Sequence, residues 1–329
     1  MTDQQQSSFA FSSLGLRPEI QENLQSLDYK EMTAIQAQSL PPILAKQDVI
    51  AQGKTGSGKT AAFGIGILQK LEVKRFRVQS LVLCPTRELA DQVAKELRRL
   101  ARTIHNIKVL TLCGGMPFGP QIGSLEHGAH IVVGTPGRVE EHVRKGTLKL
   151  EEVSTLVLDE ADRMLEMGFQ ETLDKIIERI PADRQTLLFS ATYPPEIQSI
   201  AKRVMVKPVI AKVESTHANS TISQHFYKVD GNAERPKAVK LLLMEYRPES
   251  TVVFCNTKRE AQELADELQG SGFSALALHG DLEQRDRDQT LVRFSSKSTS
   301  ILVATDVAAR GLDIDALDMV INYHIARDA

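Results

Sequence analysis

The sequence has no tryptophan and only three cysteines, and aromatic residues make up 5% of it. It also lacks an apolar run of about 18 residues, the length that a membrane-spanning helix needs. The N-terminal segment MTDQQQSSFAFSS has neither the basic start nor the apolar centre of a signal peptide. These absences argue against a membrane or secreted protein, and we expect a cytoplasmic one.

The three cysteines are Cys84, Cys113 and Cys255, and each lies in or beside an apolar run. They form no C-x-x-C pair, which disfavours a metal site, and their low number disfavours a disulfide framework. Buried free thiols are the simpler interpretation, because an unpaired cysteine behaves as a small apolar residue.

A large net charge is also absent, since the formal charge is −2 and the pI is near 6.5. This excludes a protein that binds nucleic acid through an overall positive field, so any such binding must depend on localised groups. The hydrophobic fraction of 42% and the charged fraction of 25% are typical of a globular protein. A chain of 329 residues is long enough for about two domains.

The segment Gly53–Thr60 reads GKTGSGKT and fits the phosphate-loop pattern G-x-x-x-x-G-K-S/T. Its glycines allow successive backbone N–H groups to point at a polyphosphate, and the helix predicted to follow directs its positive end to the same anion. The loop follows the apolar residues VIA, and this strand context favours a nucleotide site over an ordinary glycine-rich turn. Lys59 adds a charge for the outer phosphates, and Thr60 offers a hydroxyl to Mg²⁺. The predicted nucleotide-binding residues of the loop are Gly53, Thr55, Gly56, Ser57, Gly58, Lys59 and Thr60.

Apolar runs of strand length alternate with helical stretches along most of the chain. From Asp48 to about Ile210, runs such as VIAQ, SLVLC and QTLLFS are continuously apolar, as in strands covered on both faces of a parallel sheet. The polar segment KVESTHANSTIS is predicted to be a linker, and the alternation then resumes from QHFYKV to MVINY. We therefore predict an α/β fold with two doubly wound parallel-sheet domains, at residues 1–211 and 223–329, with a linker at 212–222.

Two adjacent acids end the apolar run TLVL in the segment TLVLDEAD. Asp159, at the predicted strand end, is placed to bind Mg²⁺, and Glu160 can orient and deprotonate an attacking water. Adjacent acids at this position can also be no more than the start of a helix. Their occurrence after a phosphate loop favours the catalytic interpretation.

The motifs PTRELA (85–90), TPGR (135–138), DEAD (159–162) and SAT (190–192) follow the phosphate loop in this order. VVFCNTK, HGDLEQRDR and ATDVAARGLD continue the series in the second half. Over nearly the whole chain this series resembles the DEAD-box RNA helicase family. The resemblance implies two RecA-like domains and an RNA-dependent ATPase with helicase activity, with ATP and Mg²⁺ as cofactors. Segments such as LTLCGG look most similar to a bacterial member linked to large-subunit ribosome assembly, so ribosomal RNA is the expected partner.

The resemblance also implies roles for the ATP side of the site. Ser190 and Thr192 are expected to bridge to Asp162 and to couple the nucleotide to domain closure. Singly, these hydroxyls could instead cap the helix that follows. The implied catalytic set is Lys59, Asp159, Glu160, Asp162, Ser190 and Thr192. The further positions that resemble ATP contacts are Phe11, Tyr29 and Gln36, which match an adenine-reading Q motif, and Gly311 and Asp313.

A second set of positions resembles the family's contacts with the RNA backbone. Hydroxyls, arginines and backbone N–H groups bind phosphates and sugars without reading bases. Taken singly, each could be an ordinary turn or cap residue. The positions are Pro85, Thr86, Arg87, Gly115, Thr135, Gly137, Arg138, Asn256, Gln284, Arg287 and Thr305.

The sequence departs from the family pattern at three places. Gly53 replaces a usual alanine and Ala34 a usual proline, and we expect both changes to leave nucleotide binding intact. The sequence ends at VINYHIARDA, before the family's arginine-rich motif HRIGRTGR. We therefore expect a truncated second domain and slow ATP turnover, because such arginines neutralise charge on the γ-phosphate.

Two other functions remain open at this point. A non-enzymatic, nucleotide-gated RNA clamp or scaffold would use the same motifs, with hydrolysis incidental. A DNA helicase is a weaker alternative. The expected oligomeric state is a monomer.

Overall fold

The computed structural model describes residues 9–54, 56–213, 223–305, 308 and 317–324. The chain divides into two compact units, Met1–Thr216 and His217–Ala329. Each contains a parallel β-sheet, which confirms the predicted α/β fold. The division falls inside the predicted linker at 212–222. The exact domain bounds stay a prediction, because most of that linker lies outside the described residues.

The first unit is built on a seven-stranded sheet in which every pairing of neighbours is parallel. Its strands are β1 (Val49–Gln52), β2 (Ser80–Leu83), β3 (Val109–Leu112), β4 (Ile131–Gly134), β5 (Thr155–Leu158), β6 (Gln185–Ser190) and β7 (Val209–Lys212). Their order in the sheet is β3-β4-β2-β5-β6-β1-β7. The continuously apolar runs found in the sequence are therefore strands, as predicted.

Helices precede the sheet and connect its strands. A 3₁₀ turn at Phe11–Leu14 is followed by α1 (Pro18–Ser26) and α2 (Ala34–Leu44). The connecting helices are α3 (Lys59–Lys70), α4 (Arg87–Leu100), α5 (Phe118–Glu126), α6 (Pro136–Arg144), α7 (Ala161–Glu166), α8 (Gln170–Ile177) and α9 (Pro195–Val204). As described, none of these helices, nor any in the second unit, is long and apolar enough to cross a membrane.

The core of the first unit lies on both faces of its sheet, in two apolar clusters. Strands β2, β4, β5 and β6 are buried along their whole length, which explains why their sequences do not alternate with polar residues. Helix α3 is buried from Lys59 to Leu68 except at Thr60. Phe63 on this helix packs edge-on against Phe189 of β6, with ring centroids 5.2 Å apart. The helix that begins at the phosphate loop is thus anchored in the core.

The second unit has a four-stranded parallel sheet in the order β11-β8-β10-β9. Its strands are β8 (Thr251–Cys255), β9 (Ala275–Leu278), β10 (Ile301–Thr305) and β11 (Met319–Asn322). Its helices are a 3₁₀ turn at Asn232–Glu234, α10 (Arg235–Tyr246), α11 (Lys258–Gly270) and α12 (Gln284–Ser295). Apart from QHFYKV, the predicted alternation of strands and helices is therefore confirmed in this unit.

The predicted strand QHFYKV is wrong, because residues 223–229 adopt no strand in the structure. Phe226 is 92% exposed and Tyr227 is 54% exposed, so these side chains do not pack into the core. The alternation of apolar and polar residues describes only the segment itself, whereas a strand also needs a neighbouring strand to pair with.

The three cysteines are free and buried, as predicted.

The contact between α2 and α3 gives a test of core packing. A methyl group added at Gly66 would overlap Ile43 Cγ2, which is fully buried. We expect Gly66→Ala to lower the free energy of unfolding by about 1–3 kcal/mol, since overpacking forces its neighbours to move. Gly123→Ala in α5 is the matched control, because a methyl there meets nothing within 4 Å. It should be neutral or stabilising by up to about 1 kcal/mol. Urea unfolding followed by circular dichroism measures both, and equal stabilities would contradict the packing described.

Candidate functional site

The carboxyl ends of parallel strands meet at one edge of a sheet, where ligands bind in folds of this kind. In the first unit β5, β6 and β1 are neighbours. The segment 53–60 follows β1, Asp159 follows β5, and Ser190 ends β6. The strand order therefore brings the predicted phosphate loop, the paired acids and the SAT segment together, although more than a hundred positions separate the loop from the SAT segment.

The phosphate loop has the backbone that its glycines predict at two positions. Gly56 and Gly58 have φ angles of 77° and 94°, in the left-handed region that favours glycine. At Gly58 an added Cβ would also lie 2.5 Å from Gln36 Nε2. Gly53 is different, since its φ is not positive and the nearest atom to an added Cβ would be Ser57 Oγ, at 3.1 Å. Thr55 lies outside the described residues.

Lys59 is buried at the start of α3, with 7% of its surface exposed. Its Nζ donates a hydrogen bond to the Gly53 carbonyl at 2.5 Å, so the loop closes on its own lysine. Thr60 follows at the second position of the helix. This is the position of the hydroxyl predicted to reach Mg²⁺.

The Q-motif residues contact the loop in a way that the sequence did not predict. Gln36 Oε1 accepts from the Thr33 backbone N–H at 2.8 Å, and its Nε2 donates to the Gly58 carbonyl at 3.1 Å. Thr33 Oγ1 donates to the Ser57 carbonyl at 2.8 Å. Thr33 and Gln36 thus form the capping box of α2 and also hold the phosphate loop. Thr33 was missed, although T-x-x-Q before an apolar run is the sequence signal of a capping box.

The two aromatic residues of the Q motif lie against each other at 5.9 Å, edge to face. Phe11 is buried, and the Tyr29 hydroxyl donates to Glu96 at 3.1 Å and accepts from Arg99 at 2.6 Å. Tyr29 is therefore tied to α4 by its polar end. Adenine recognition by these residues stays a prediction.

The three acids of the DEAD segment are almost fully buried, and Asp159 has only 3% of its surface exposed. Burial raises the pKa of the Asp159 carboxyl to about 7, although the positive charge of Lys59 lowers it. Burial likewise raises the pKa of Glu160, against the charges of Arg163 and Lys59. The Asp159 carboxyl is consequently poised to change protonation or to gain a cation near neutral pH.

Glu160 has a strained backbone, with φ 49° and ψ 52°. A residue other than glycine reaches this left-handed region only when its surroundings impose it, and such residues cluster at functional sites. Its Oε2 is buried and has no hydrogen-bond partner among the described residues, with only Arg163 Nε nearby at 3.9 Å. A carboxylate oxygen held in this state can accept a proton from a water molecule.

The donor chemistry around Asp159 fits Mg²⁺, which prefers carboxylate, hydroxyl and phosphate oxygens. The described residues contain no group of three His, Cys, Asp or Glu side chains that could hold a metal alone. Asp159 and Thr60 would hold the ion together with phosphate oxygens and water. When bound, Mg²⁺ supplies positive charge to the phosphates.

Asp162 is the centre of a network that joins three segments. Thr192 donates to Asp162 Oδ2 from its backbone N–H at 2.9 Å and from its hydroxyl at 2.8 Å. The Asp162 N–H donates to Ser190 Oγ at 3.3 Å, and the Gly53 N–H donates to the Ser190 carbonyl at 3.1 Å. The alternative of a helix cap is wrong, since Pro194 is the N-cap of α9 and no side chain caps it.

The residues predicted to contact RNA lie along the same edge of the sheet, at the ends of its other strands. These are the neighbouring strands β3, β4 and β2. Pro85, Thr86 and Arg87 follow β2, Gly115 follows β3, and Thr135, Gly137 and Arg138 follow β4. Thr86 is also the N-cap of α4, through a bond from the Leu89 N–H at 3.2 Å. Arg87 occupies the space where a side chain at Gly115 would lie, and Gly115 has φ 73°.

In the second unit two of the described predicted residues lie at the carboxyl ends of strands and two lie in a helix. Asn256 follows β8 and Thr305 ends the neighbouring β10, while Gln284 and Arg287 lie in the first turn of α12. Gln284 Nε2 donates to Asp288 at 2.8 Å. Gly311 and Asp313 lie outside the described residues.

A phosphate loop, a pair of buried acids beside it and two parallel α/β units define an enzyme that uses a nucleoside triphosphate. The DEAD/DEAH box helicase family model matches residues 33–200, and the model of the helicase conserved C-terminal domain matches residues 234–329. The chain therefore belongs to the DEAD-box helicase family, and its enzyme class is that of the ATP-dependent RNA helicases.

Relatives of the chain support this assignment over nearly its whole length. It is 56% identical over 320 residues to the ATP-dependent RNA helicase DbpA of Escherichia coli, covering 97% of this chain and 70% of the relative. The expected similarity to a bacterial protein of this kind is thus confirmed. The chain is 45% identical to the DEAD-box ATP-dependent RNA helicase CshA of Geobacillus kaustophilus, covering 97% of this chain and 68% of the relative.

Solved structures show the same fold. S. cerevisiae Dbp5 bound to RNA and ADP BeF3 matches with a TM-score of 0.87 at 29% identity, over 96% of this chain and 81% of that one. A DEAD box protein from Methanococcus jannaschii matches with a TM-score of 0.60 at 40% identity, over 97% and 86%.

The two glycines of the loop should respond differently to a methyl group. We expect Gly58→Ala to weaken nucleotide binding by at least tenfold, because the new side chain would meet Gln36 and φ is 94°. Gly53→Ala should bind nucleotide as the wild type does, since only the Ser57 hydroxyl must shift. Titration with a fluorescent ATP analogue measures both affinities. Equal losses in the two variants would contradict this geometry.

The raised pKa of Asp159 predicts a pH dependence of stability. Above about pH 4 the unfolded chain releases this proton, whereas the folded chain keeps it up to about pH 7. The free energy of unfolding should therefore fall as pH rises through this window, by up to about 4 kcal/mol for this group. Asp159→Asn removes the dependence, so its stability relative to the wild type should be greater at pH 8 than at pH 5.

Urea unfolding of the nucleotide-free chain at the two pH values checks this. The variant Asp183→Asn changes an exposed acid and serves as the control, with the wild-type pH dependence expected. A constant difference in stability between Asp159→Asn and the wild type would show that Asp159 does not titrate as described.

Proposed function

We propose that this chain binds ATP with Mg²⁺ at the phosphate loop and the DEAD segment, and hydrolyses it with Glu160 as the base. We further propose that it binds the backbone of RNA at the ends of β2, β3 and β4 and couples the two events to local unwinding of RNA duplexes. The observation that carries this proposal is the strand order, which places both groups of loops on one edge of one sheet. A change in the bound nucleotide can therefore affect the proposed RNA-binding residues through the neighbouring strands β5 and β2.

The chemistry of the second group supports RNA rather than a small substrate. It offers the hydroxyls of Thr86 and Thr135, the guanidinium groups of Arg87 and Arg138, and the exposed backbone of Gly115. Such groups bind phosphates and sugars without selecting a base. We propose that Asn256, Gln284, Arg287 and Thr305 add similar contacts from the second unit. A competition between ribose and deoxyribose strands distinguishes RNA from DNA as the substrate.

For the biological setting we propose ribosomal RNA as the target, in assembly of the large ribosomal subunit, with the chain acting as a cytoplasmic monomer. The similarity of segments such as LTLCGG to a bacterial family member linked to that process supports this proposal. The RNA specificity can be tested by comparing binding of large-subunit and unrelated RNA fragments. Analytical ultracentrifugation of the chain with bound RNA tests whether it is a monomer.

Glu160→Gln tests the proposed catalytic role. We expect ATP hydrolysis to fall by about 10²-fold or more, because the amide cannot take the proton of the attacking water. ATP and RNA affinities should persist, because the amide keeps the size of the side chain and Lys59 is unchanged. Single-turnover hydrolysis of labelled ATP, with and without RNA, detects even slow rates. Glu171→Gln, an exposed change in α8, is the control and should hydrolyse ATP normally.

The same variant distinguishes an enzyme from a nucleotide-gated clamp. In a helicase the loss of hydrolysis slows release of RNA after ATP binding. A clamp would release RNA from Glu160→Gln and from the wild type at the same rate. That outcome, or an unchanged rate of hydrolysis, would overturn the catalytic proposal.

A further inference from the structure

Arg138, at the start of α6, is held on one side only. Its Nη1 donates to the Met116 carbonyl at 2.9 Å and to Gln121 Oε1 at 2.8 Å, and its Nε lies 3.2 Å from Glu141 Oε2. Within the described ranges no atom accepts a hydrogen bond from Nη2. The side chain is only 12% exposed, so its orientation is fixed while one edge of the guanidinium keeps two N–H groups for a ligand.

Gln121 determines how the guanidinium is held. Its Nε2 donates to the Cys113 carbonyl at 3.0 Å, which identifies the other amide atom as the oxygen. That oxygen accepts from Arg138 and lies 2.9 Å from His142 Nε2. A carboxamide oxygen only accepts, so the proton of the His142 ring is on Nε2. Gln121 thus connects the end of β3 with Arg138 and His142 of α6.

His142 is fully buried and uses both ring nitrogens. Its Nδ1 lies 2.8 Å from the Thr147 hydroxyl, and its ring stacks on Phe118 with centroids 4.1 Å apart and planes 15° apart. Burial, and then the positive charge of Arg138, lower the pKa of His142 to about 4, so the ring is neutral. The Arg138 guanidinium lies 5.4 Å from the centroid of the same Phe118 ring.

We propose that His142 and Gln121 are positioning residues that hold Arg138 with its Nη2 edge free for a phosphate of the RNA backbone. The inference rests on the proposed function, in which Arg138 contacts RNA. An arginine fixed in its binding geometry loses less conformational freedom when the phosphate arrives, and therefore binds more tightly.

Binding of labelled single-stranded RNA to the whole chain, with a non-hydrolysable ATP analogue, tests the proposal. We expect Arg138→Ala to weaken binding about tenfold, the usual effect of losing one charged hydrogen bond. His142→Phe keeps the ring on Phe118 but removes both nitrogens, and it should weaken binding about threefold. The double variant should bind no more weakly than Arg138→Ala, because both changes remove one contact.

The salt dependence of RNA affinity is a measurement that a purely structural role of His142 would not change. Losing one phosphate contact on a single strand lowers the slope of log affinity against log salt concentration by about 0.7. Arg138→Ala should show this change, and His142→Phe should show part of it. His127→Phe, at the exposed end of α5, is the matched histidine control and should bind RNA as the wild type does. In the absence of RNA, His127→Phe should also bind the ATP analogue as the wild type does.

The outcomes separate the two proposals. Unchanged RNA binding by Arg138→Ala would overturn the assignment of Arg138 to the RNA site, and the positioning role with it. Weakened binding by Arg138→Ala, with His142→Phe equal to the wild type or additive in the double variant, would overturn the positioning role alone. If His142→Phe does not unfold cooperatively, Gln121→Met replaces it in the same measurements, because it removes the oxygen that accepts from Arg138.

Discussion

The buried positive charge of Lys59 is the interaction on which the nucleotide site depends. Its ammonium donates to the Gly53 carbonyl, and its charge lowers the pKa of Asp159, which burial raises. An isolated ammonium or carboxylate in such a place costs several kcal/mol, as an order of magnitude, so each makes the burial of the other possible. The fold keeps them close by ending β1 and β5 on either side of β6. The part of this desolvation cost that remains favours binding of a polyphosphate, which pairs with Lys59, and of a cation, which pairs with Asp159.

Strand β6 gives this site its connection to the protein. Its last residue, Ser190, accepts from Gly53 and from Asp162, and Thr192 just beyond it holds the Asp162 carboxylate with two hydrogen bonds. A movement of the phosphate loop therefore reaches the DEAD segment through one strand end. From β5, which precedes that segment, the sheet continues directly to β2, which leads to Arg87 at the start of α4. The order of the strands, rather than any single contact, relates the two groups of loops.

Much of this arrangement could be predicted from the sequence, because the relevant signals are local. The apolar runs predicted the strands, and GKTGSGKT predicted a loop whose glycines at 56 and 58 have positive φ. The contact of Thr33 with Ser57 and the stacking of His142 on Phe118 join segments that are not adjacent in sequence, and composition does not reveal such contacts. The left-handed backbone of Glu160 is imposed by its surroundings. The prediction of a strand at QHFYKV is wrong for a related reason, since a strand requires a neighbouring strand to pair with.

The two groups of loops use charge in different environments. On the nucleotide side Lys59, Asp159 and Glu160 are almost fully buried, where salt screens little and a few charges interact strongly. On the other side the residues contribute hydroxyls, exposed backbone and the edge of Arg138, which we propose to bind phosphates of the RNA backbone. A buried site of this kind favours a single compact anion and binds it in one geometry. A row of partly exposed contacts suits a long polyanion, because each single contact is weak. In the proposed function, this division of charge between the two groups lets hydrolysis at one control binding at the other.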